Sequence, residues 1–153
     1  MLAALAVTPG CSDPRAGDSA PNVTFIGMDD ARFDLASLRG RTVLLNFWFY
    51  NCVGCVAEMP HLSDLWAEVS SERDDVTFLS VNHGDSKQRI RDYWEEGGFL
   101  HPAVRQEGSD VSHAFGVIAY PVNFVIDPKG DVLYAAAGWD EPAIREALDS
   151  TAK

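Results

Sequence analysis

The chain is predicted to be an α/β protein, a three-layer sandwich with a central mixed β-sheet flanked by helices and an N-terminal β-hairpin extension. Three observations carry this. The near-continuous apolar run from Thr42 to Phe49 has the signature of a central strand buried on both faces. Beyond Cys52 it gives way to a helical pattern, in which Leu62, Leu65, Trp66 and Val69 fall on one stripe. The remaining segments read in order as a hairpin, a βαβ unit, a second helix and a closing ββα unit.

Val23 to Ile26 and Arg32 to Leu35, separated by Gly27-Met28-Asp29-Asp30, form the N-terminal hairpin. Leu35 to Leu38 is a helical turn ended by Gly40, and the central strand follows. Pro60 falls inside the next helix, where its ring removes one hydrogen bond and crowds the carbonyl a turn back, so a kink is expected. After the turn Glu72-Arg73-Asp74-Asp75, Val76 to Val81 is a second buried strand. Asp85 or Ser86 caps a helix with Ile90, Tyr93 and Trp94 on one face, and Gly97-Gly98 stops it. Residues 99–109 read as irregular, and Asp110 to Phe115 as a short helix closed by Gly116. Val122 to Ile126 and Val132 to Ala136 make a hairpin around Asp127-Pro128-Lys129-Gly130. The last helix places Ile144, Ala147, Leu148 and Thr151 on one stripe, with Asp140 as cap and Pro142 in its first turn.

A chain of 153 residues suits one domain with a core that needs no disulfide staples. Residues 21–153 are assigned to it. The formal net charge of -11 argues against nucleic acid or an anionic membrane surface as a partner. An acidic surface suits basic partners, or serves solubility alone.

The three cysteines divide as two plus one. Cys11 follows the apolar lead Met1-Leu2-Ala3-Ala4-Leu5-Ala6-Val7-Thr8-Pro9-Gly10, which resembles the end of a bacterial lipoprotein signal. Residues 1–20 are accordingly read as a truncated lipoprotein-like leader, with Cys11 as the lipid anchor, followed by a flexible tether. The competing reading is an unpaired cysteine in a disordered leader. Cys52 and Cys55 sit where the central strand passes into the helix. A sulfur at the helix N-terminus faces unsatisfied N–H groups and the positive dipole end, which favour thiolate over thiol. Cys55, one turn on, is near enough to close a disulfide and is turned back toward the domain. Cys52 is therefore expected to attack and Cys55 to resolve.

Several further pieces agree in order: Leu38-Arg39-Gly40-Arg41, Leu45-Asn46-Phe47-Trp48, the Cys-x-x-Cys-x-x-Glu-Met-Pro run from Cys52 to Pro60, and Tyr120-Pro121-Val122-Asn123-Phe124-Val125-Ile126-Asp127. Together they resemble the thioredoxin superfamily, specifically its membrane-tethered TlpA/ResA-type thiol-disulfide oxidoreductases, relatives of the cytochrome c maturation thioredoxins. The likeness runs from about residue 21 to about residue 150 and implies a thioredoxin-like fold. Two departures bear on redox potential and partner choice. Asn51 stands where the family keeps Trp, and Val53-Gly54 where it often has Pro-Pro or Glu-Pro.

The resemblance implies an extracytoplasmic, periplasmic or outer-face, protein-disulfide reductase working through Cys52 and Cys55 without organic cofactor or metal. Its partners would be a protein disulfide such as that of an apocytochrome c and a membrane thiol electron donor, with the chain itself a monomer. By itself Glu58 reads as an exposed helix carboxylate; in this family it would accept or return the proton of Cys55. Asn46 occupies the position where ordinary thioredoxin keeps a buried acid, leaving Glu58 as the nearer proton carrier. Pro121 would follow a cis peptide bond beside the disulfide, with the backbone of Tyr120 free to pair with substrate. Trp48 and Tyr50 would line that surface, although Trp48 reads equally well as core.

Other chemistries fit less well. Structural zinc normally takes four ligands, and no second cysteine pair exists. His61, His83, His101 and His113 lack ligand spacing and read as surface or loop residues, while a Sco-type copper site would expect three residues between the cysteines. A peroxiredoxin would need Pro and Thr ahead of its cysteine, where this chain has Phe49-Tyr50-Asn51. The reading from another class is a non-catalytic thioredoxin-fold binding module whose Cys52-Cys55 bridge only stiffens a loop.

Overall fold

The computed structural model describes residues 15–153; Cys11 and the lead around it lie outside the described residues. In chain order the elements are β1 (Thr24–Gly27), β2 (Arg32–Asp34), a 3-10 turn (Leu35–Leu38), β3 (Thr42–Trp48), α1 (Val53–Glu72), β4 (Val76–Asn82), α2 (Lys87–Gly97), β5 (Ala103–Arg105), α3 (Asp110–Ala114), β6 (Val122–Ile126), β7 (Val132–Ala137) and α4 (Glu141–Asp149). The strands form one seven-stranded sheet in the order β2-β1-β5-β4-β3-β6-β7. Pairing is parallel for β3 with β4 and β4 with β5, and antiparallel elsewhere, which makes the sheet mixed as expected.

Every residue of β3 is buried, because the strand lies near the middle of the sheet with cover on both sides. Its side chains alternate between two cores. Val43, Leu45 and Phe47 join Phe25, Leu35, Val111, Phe115 and Phe124 on the face covered by the 3-10 turn and α3. Leu44 and Trp48 join Met59, Leu62, Leu65, Ile90, Ile144 and Leu148 under α1, α2 and α4. The result is the predicted three layers. Among the described residues no helix is long and apolar enough to cross a membrane.

Helix α1 runs for 20 residues with Pro60 inside it, so the proline does not end the helix. Its far end is tied to α4 through Arg73, which donates to both carboxylate oxygens of Asp75 and, at 2.7 Å, to the carbonyl of Leu148. Ser86, not Asp85, caps α2 by accepting from Arg89 N, and Gly98 closes that helix at φ 63°, in the left-handed region where a Cβ is disfavoured. Asp85 instead accepts from Tyr50 N at 2.7 Å and holds the loop before the cysteines.

One correction concerns residues 99–109, which include a strand, β5. It pairs with β4 at Ala103 and Val104 and with β1 at Val104 and Arg105, so β5 inserts between the hairpin and the rest of the sheet. Pro102 lacks an N–H and ends the ladder on the upstream side.

Candidate active site

The cysteines lie at the C-terminal end of β3, where the strand hands over to α1. Phe49 to Asn51 form the bend, and Cys52 is the N-cap of α1. Its sulfur accepts a hydrogen bond from Cys55 N at 3.2 Å, which is the orphan-donor contact expected of a helix start. Cys52 and Cys55 are joined in a disulfide with Cα atoms 5.2 Å apart. The two sulfurs differ in access: Cys52 is 8% exposed and Cys55 is completely buried. Cys52 is thus less open than a helix terminus suggested, but it remains the accessible member.

Pro121 packs against this turn from β6. The Tyr120-Pro121 peptide is cis, and a Cβ placed on Gly54 would come within 3.2 Å of the proline Cδ. Glycine at that position therefore lets the Cys-x-x-Cys turn and the proline approach closely. The Tyr120 ring packs edge-on against Phe49 and lies beside His83. Tyr50 stacks edge-on with Tyr93 under the Arg89 guanidinium. Trp48, by contrast, is fully buried between Tyr93 and Trp94, so its ring is core and does not line the surface. Two exposed apolar side chains neighbour these residues in the chain, neither of them expected to meet substrate: Val53, 86% exposed, beside Cys52, and Ile118, 93% exposed, on the loop leading to Pro121.

Glu58 is far from an ordinary surface carboxylate. It is only 3% exposed, and its Oε1 accepts from Asn46 Nδ2 at 2.6 Å and from Asn123 Nδ2 at 3.1 Å. Burial pushes its pKa up to about 7 against the opposing pull of these two amide donors. The carboxyl is therefore poised near neutrality, one helical turn beyond Cys55.

His101 corrects the surface reading given to the histidines. It is 1% exposed, with Nε2 at 2.9 Å from Ser80 Oγ. Burial lowers its pKa to about 4, so the ring is neutral at pH 7. Ser80 Oγ donates to Asn46 Oδ1 at 3.1 Å, which leaves His101 Nε2 to carry the proton and donate to the hydroxyl oxygen. A buried polar line thus connects His101, Ser80, Asn46 and Glu58. The signal in the sequence was a polar residue inside each of three apolar strands: Asn46, Ser80 and Asn123.

A groove of about 710 Å3 lies elsewhere, between the hairpin turn, the edge of β4 and α2, and its lining includes neither cysteine.

Comparisons agree with this geometry. The sequence profile of the Redoxin family matches residues 15–150. The chain is 30% identical over 133 residues to the thiol-disulfide oxidoreductase ResA of Bacillus subtilis, covering 87% of this chain and 73% of that one. It is 32% identical over 135 residues to the ResA of Geobacillus thermodenitrificans, covering 88% and 76%. Among solved structures, the thioredoxin domain of a thiol-disulfide oxidoreductase from Bacteroides vulgatus superposes with a TM-score of 0.76 at 20% identity, covering 88% of this chain and 96% of that one. The exposed lipoprotein thioredoxin of Streptococcus pneumoniae does so with a TM-score of 0.71 at 23% identity, covering 85% and 99%. These likenesses and the Cys52-Cys55 pair at the head of α1 lead to one conclusion: the chain belongs to the Redoxin family and is a ResA-like thiol-disulfide oxidoreductase.

Proposed function

We propose that the protein reduces disulfides of specific extracytoplasmic proteins, an apocytochrome c being one candidate substrate. The observation that carries this reading is the combination of a fully buried Cys55 with a buried carboxyl, Glu58, one turn further along α1. In the reduced protein, Cys52 as thiolate attacks one sulfur of the substrate disulfide. A Cys52-substrate disulfide forms, and the other substrate sulfur leaves as a thiolate that takes up a proton. Cys55 then gives its proton to the Glu58 carboxylate and attacks the Cys52 sulfur. The second substrate thiolate departs and takes up a proton, Glu58 gives up the one it received, and the substrate then holds two thiols and the protein the Cys52-Cys55 disulfide. A membrane thiol donor returns two electrons to complete the cycle.

An extended substrate segment would lie over the half-buried Tyr50 and Tyr120 and the exposed Val53 and Ile118, with the buried Pro121 beneath it. Lipid on Cys11 would hold the domain at the outer face of the membrane; the tether expected as far as residue 20 is shorter than that, because Gly17 N and Ala20 N donate to the carbonyls of Val132 and Gly130 at 2.8 Å and Ala20 is buried in the core. Expressed with a full signal, Cys11→Ser is expected to move the protein to the soluble extracytoplasmic fraction, and unchanged partitioning would count against the anchor.

The catalytic reading is tested by trapping. With Cys55→Ala, attack survives and resolution does not, so a mixed disulfide through Cys52 should accumulate on a non-reducing gel. With Cys52→Ala no comparable adduct should appear. An adduct that formed through Cys55 would reverse the assigned roles.

A further inference from the structure

Asn46, Ser80 and Asn123 stand in one row across the sheet. Ser80 is the partner of Asn46 in the parallel pairing of β3 with β4, and Asn123 is its partner in the antiparallel pairing of β3 with β6. The hydrogen bonds fix both amides. Asn46 Nδ2 donates to Glu58 Oε1 and, at 3.0 Å, to Asn123 Oδ1, while its own Oδ1 accepts from Ser80. Asn123 Nδ2 donates to Glu58 Oε1 and, at 2.9 Å, to the carbonyl of Gly138. Turning either amide over would set acceptor against acceptor, so neither can flip without losing the network. Two donors fill the two lone-pair directions of Oε1, and an arriving proton is left with Oε2.

Asn123 also belongs to β6, the strand that begins immediately after the proline. It lies two residues beyond Pro121, whose carbonyl accepts from Gly138 N at 2.9 Å, so Pro121, Asn123 and Gly138 form one hydrogen-bonded unit with Glu58. We propose that Asn123, together with Asn46, is a positioning residue for disulfide exchange. The two amides hold Glu58 so that the proton of Cys55 is taken up on Oε2, and Asn123 ties that arrangement to the segment of Tyr120 and Pro121 that leads into β6. This rests on the reading of Glu58 as the proton acceptor of Cys55. Among the described residues, Cys55 lies one turn before the carboxyl on α1, Tyr134 on β7 feels its charge, and neutral His101 is reached through Asn46 and Ser80. Tyr134 is held above its ordinary pKa mainly by burial and then by the charges of Asp140 and Glu58.

The test follows the Glu58 carboxyl carbon by NMR against pH in the reduced protein, beside the rate at which Cys55 resolves a preformed mixed disulfide. Asn123→Leu removes one donor from the carboxylate, and Glu58 should then bind its proton about tenfold more tightly. The pH dependence of resolution should move upward with it, while attack by Cys52 stays within about twofold. A purely structural Asn123 would lower the unfolding midpoint and leave both titrations where they are in the parent, which would overturn the proposal. Asn123→Asp, equal in size, carries the same test if the leucine variant does not fold. Its shift should be larger, since two carboxyls would then share one proton. Glu58→Gln separates the two levels. If it leaves the resolution profile unaltered, the reading of Glu58 fails; if it alters the profile and the Asn123 variants do not, only the positioning role fails.

Discussion

At the scale of single residues, burial decides how Glu58 titrates. Its ordinary carboxyl pKa of 4.5 is raised to about 7 in the folded chain, chiefly by loss of water. Between these values the folded protein holds a proton that the unfolded chain has released. Stability from this group is therefore complete below about pH 4.5 and is lost as pH rises through about 7. Glu58→Gln should remove that dependence, leaving the variant more stable than the parent at pH 8 by on the order of 3 kcal/mol, read from denaturant unfolding. His101 works in the opposite sense. Its pKa falls from 6.5 to about 4, so the unfolded chain takes up a proton first and stability drops as pH falls through that interval. A parent whose stability gained with rising pH across pH 5 to 8 as strongly as Glu58→Gln would contradict the raised carboxyl.

Among the elements, β3 and α1 were legible because hydrophobic period and burial agree, and the two cysteines mark their junction. The strand β5 was not. Three residues after a proline carry little pattern of their own, and Ala103–Arg105 is a strand only because β1 and β4 present edges on either side. Trp48 was ambiguous for a related reason: its place in the apolar run could not reveal whether Tyr93 and Trp94 of α2 would close over it. With the ring fully buried, Trp48→Ala should cost about 3–5 kcal/mol by denaturant unfolding. The loop before β6 should behave differently. Ile118 is 93% exposed, so Ile118→Ser should change stability by less than about 0.5 kcal/mol. If it contributes to the proposed substrate surface, that variant should raise KM for a protein disulfide while leaving reduction of a small-molecule disulfide unchanged.

For the molecule as a whole, the order of elements and the thiol pair could be read from the chain because they are local signals. The polar row beneath α1 could not. Asn46, Ser80 and Asn123 come from three strands, and only sheet register brings them together under Glu58, with His101 reached from the loop before β5. The structure therefore adds a buried polar row, ending on the Glu58 carboxyl, beneath a cysteine pair already visible in the chain. The proposed chemistry turns on an unequal division of labour between the two sulfurs. The most direct measurement is competitive alkylation of the reduced protein with iodoacetamide at neutral pH, the modified peptides quantified by mass spectrometry at short times. Label is expected on Cys52 with Cys55 almost unmodified, because only Cys52 combines access with the N-terminal N–H contact. Label on Cys55 at an equal or greater rate would contradict it.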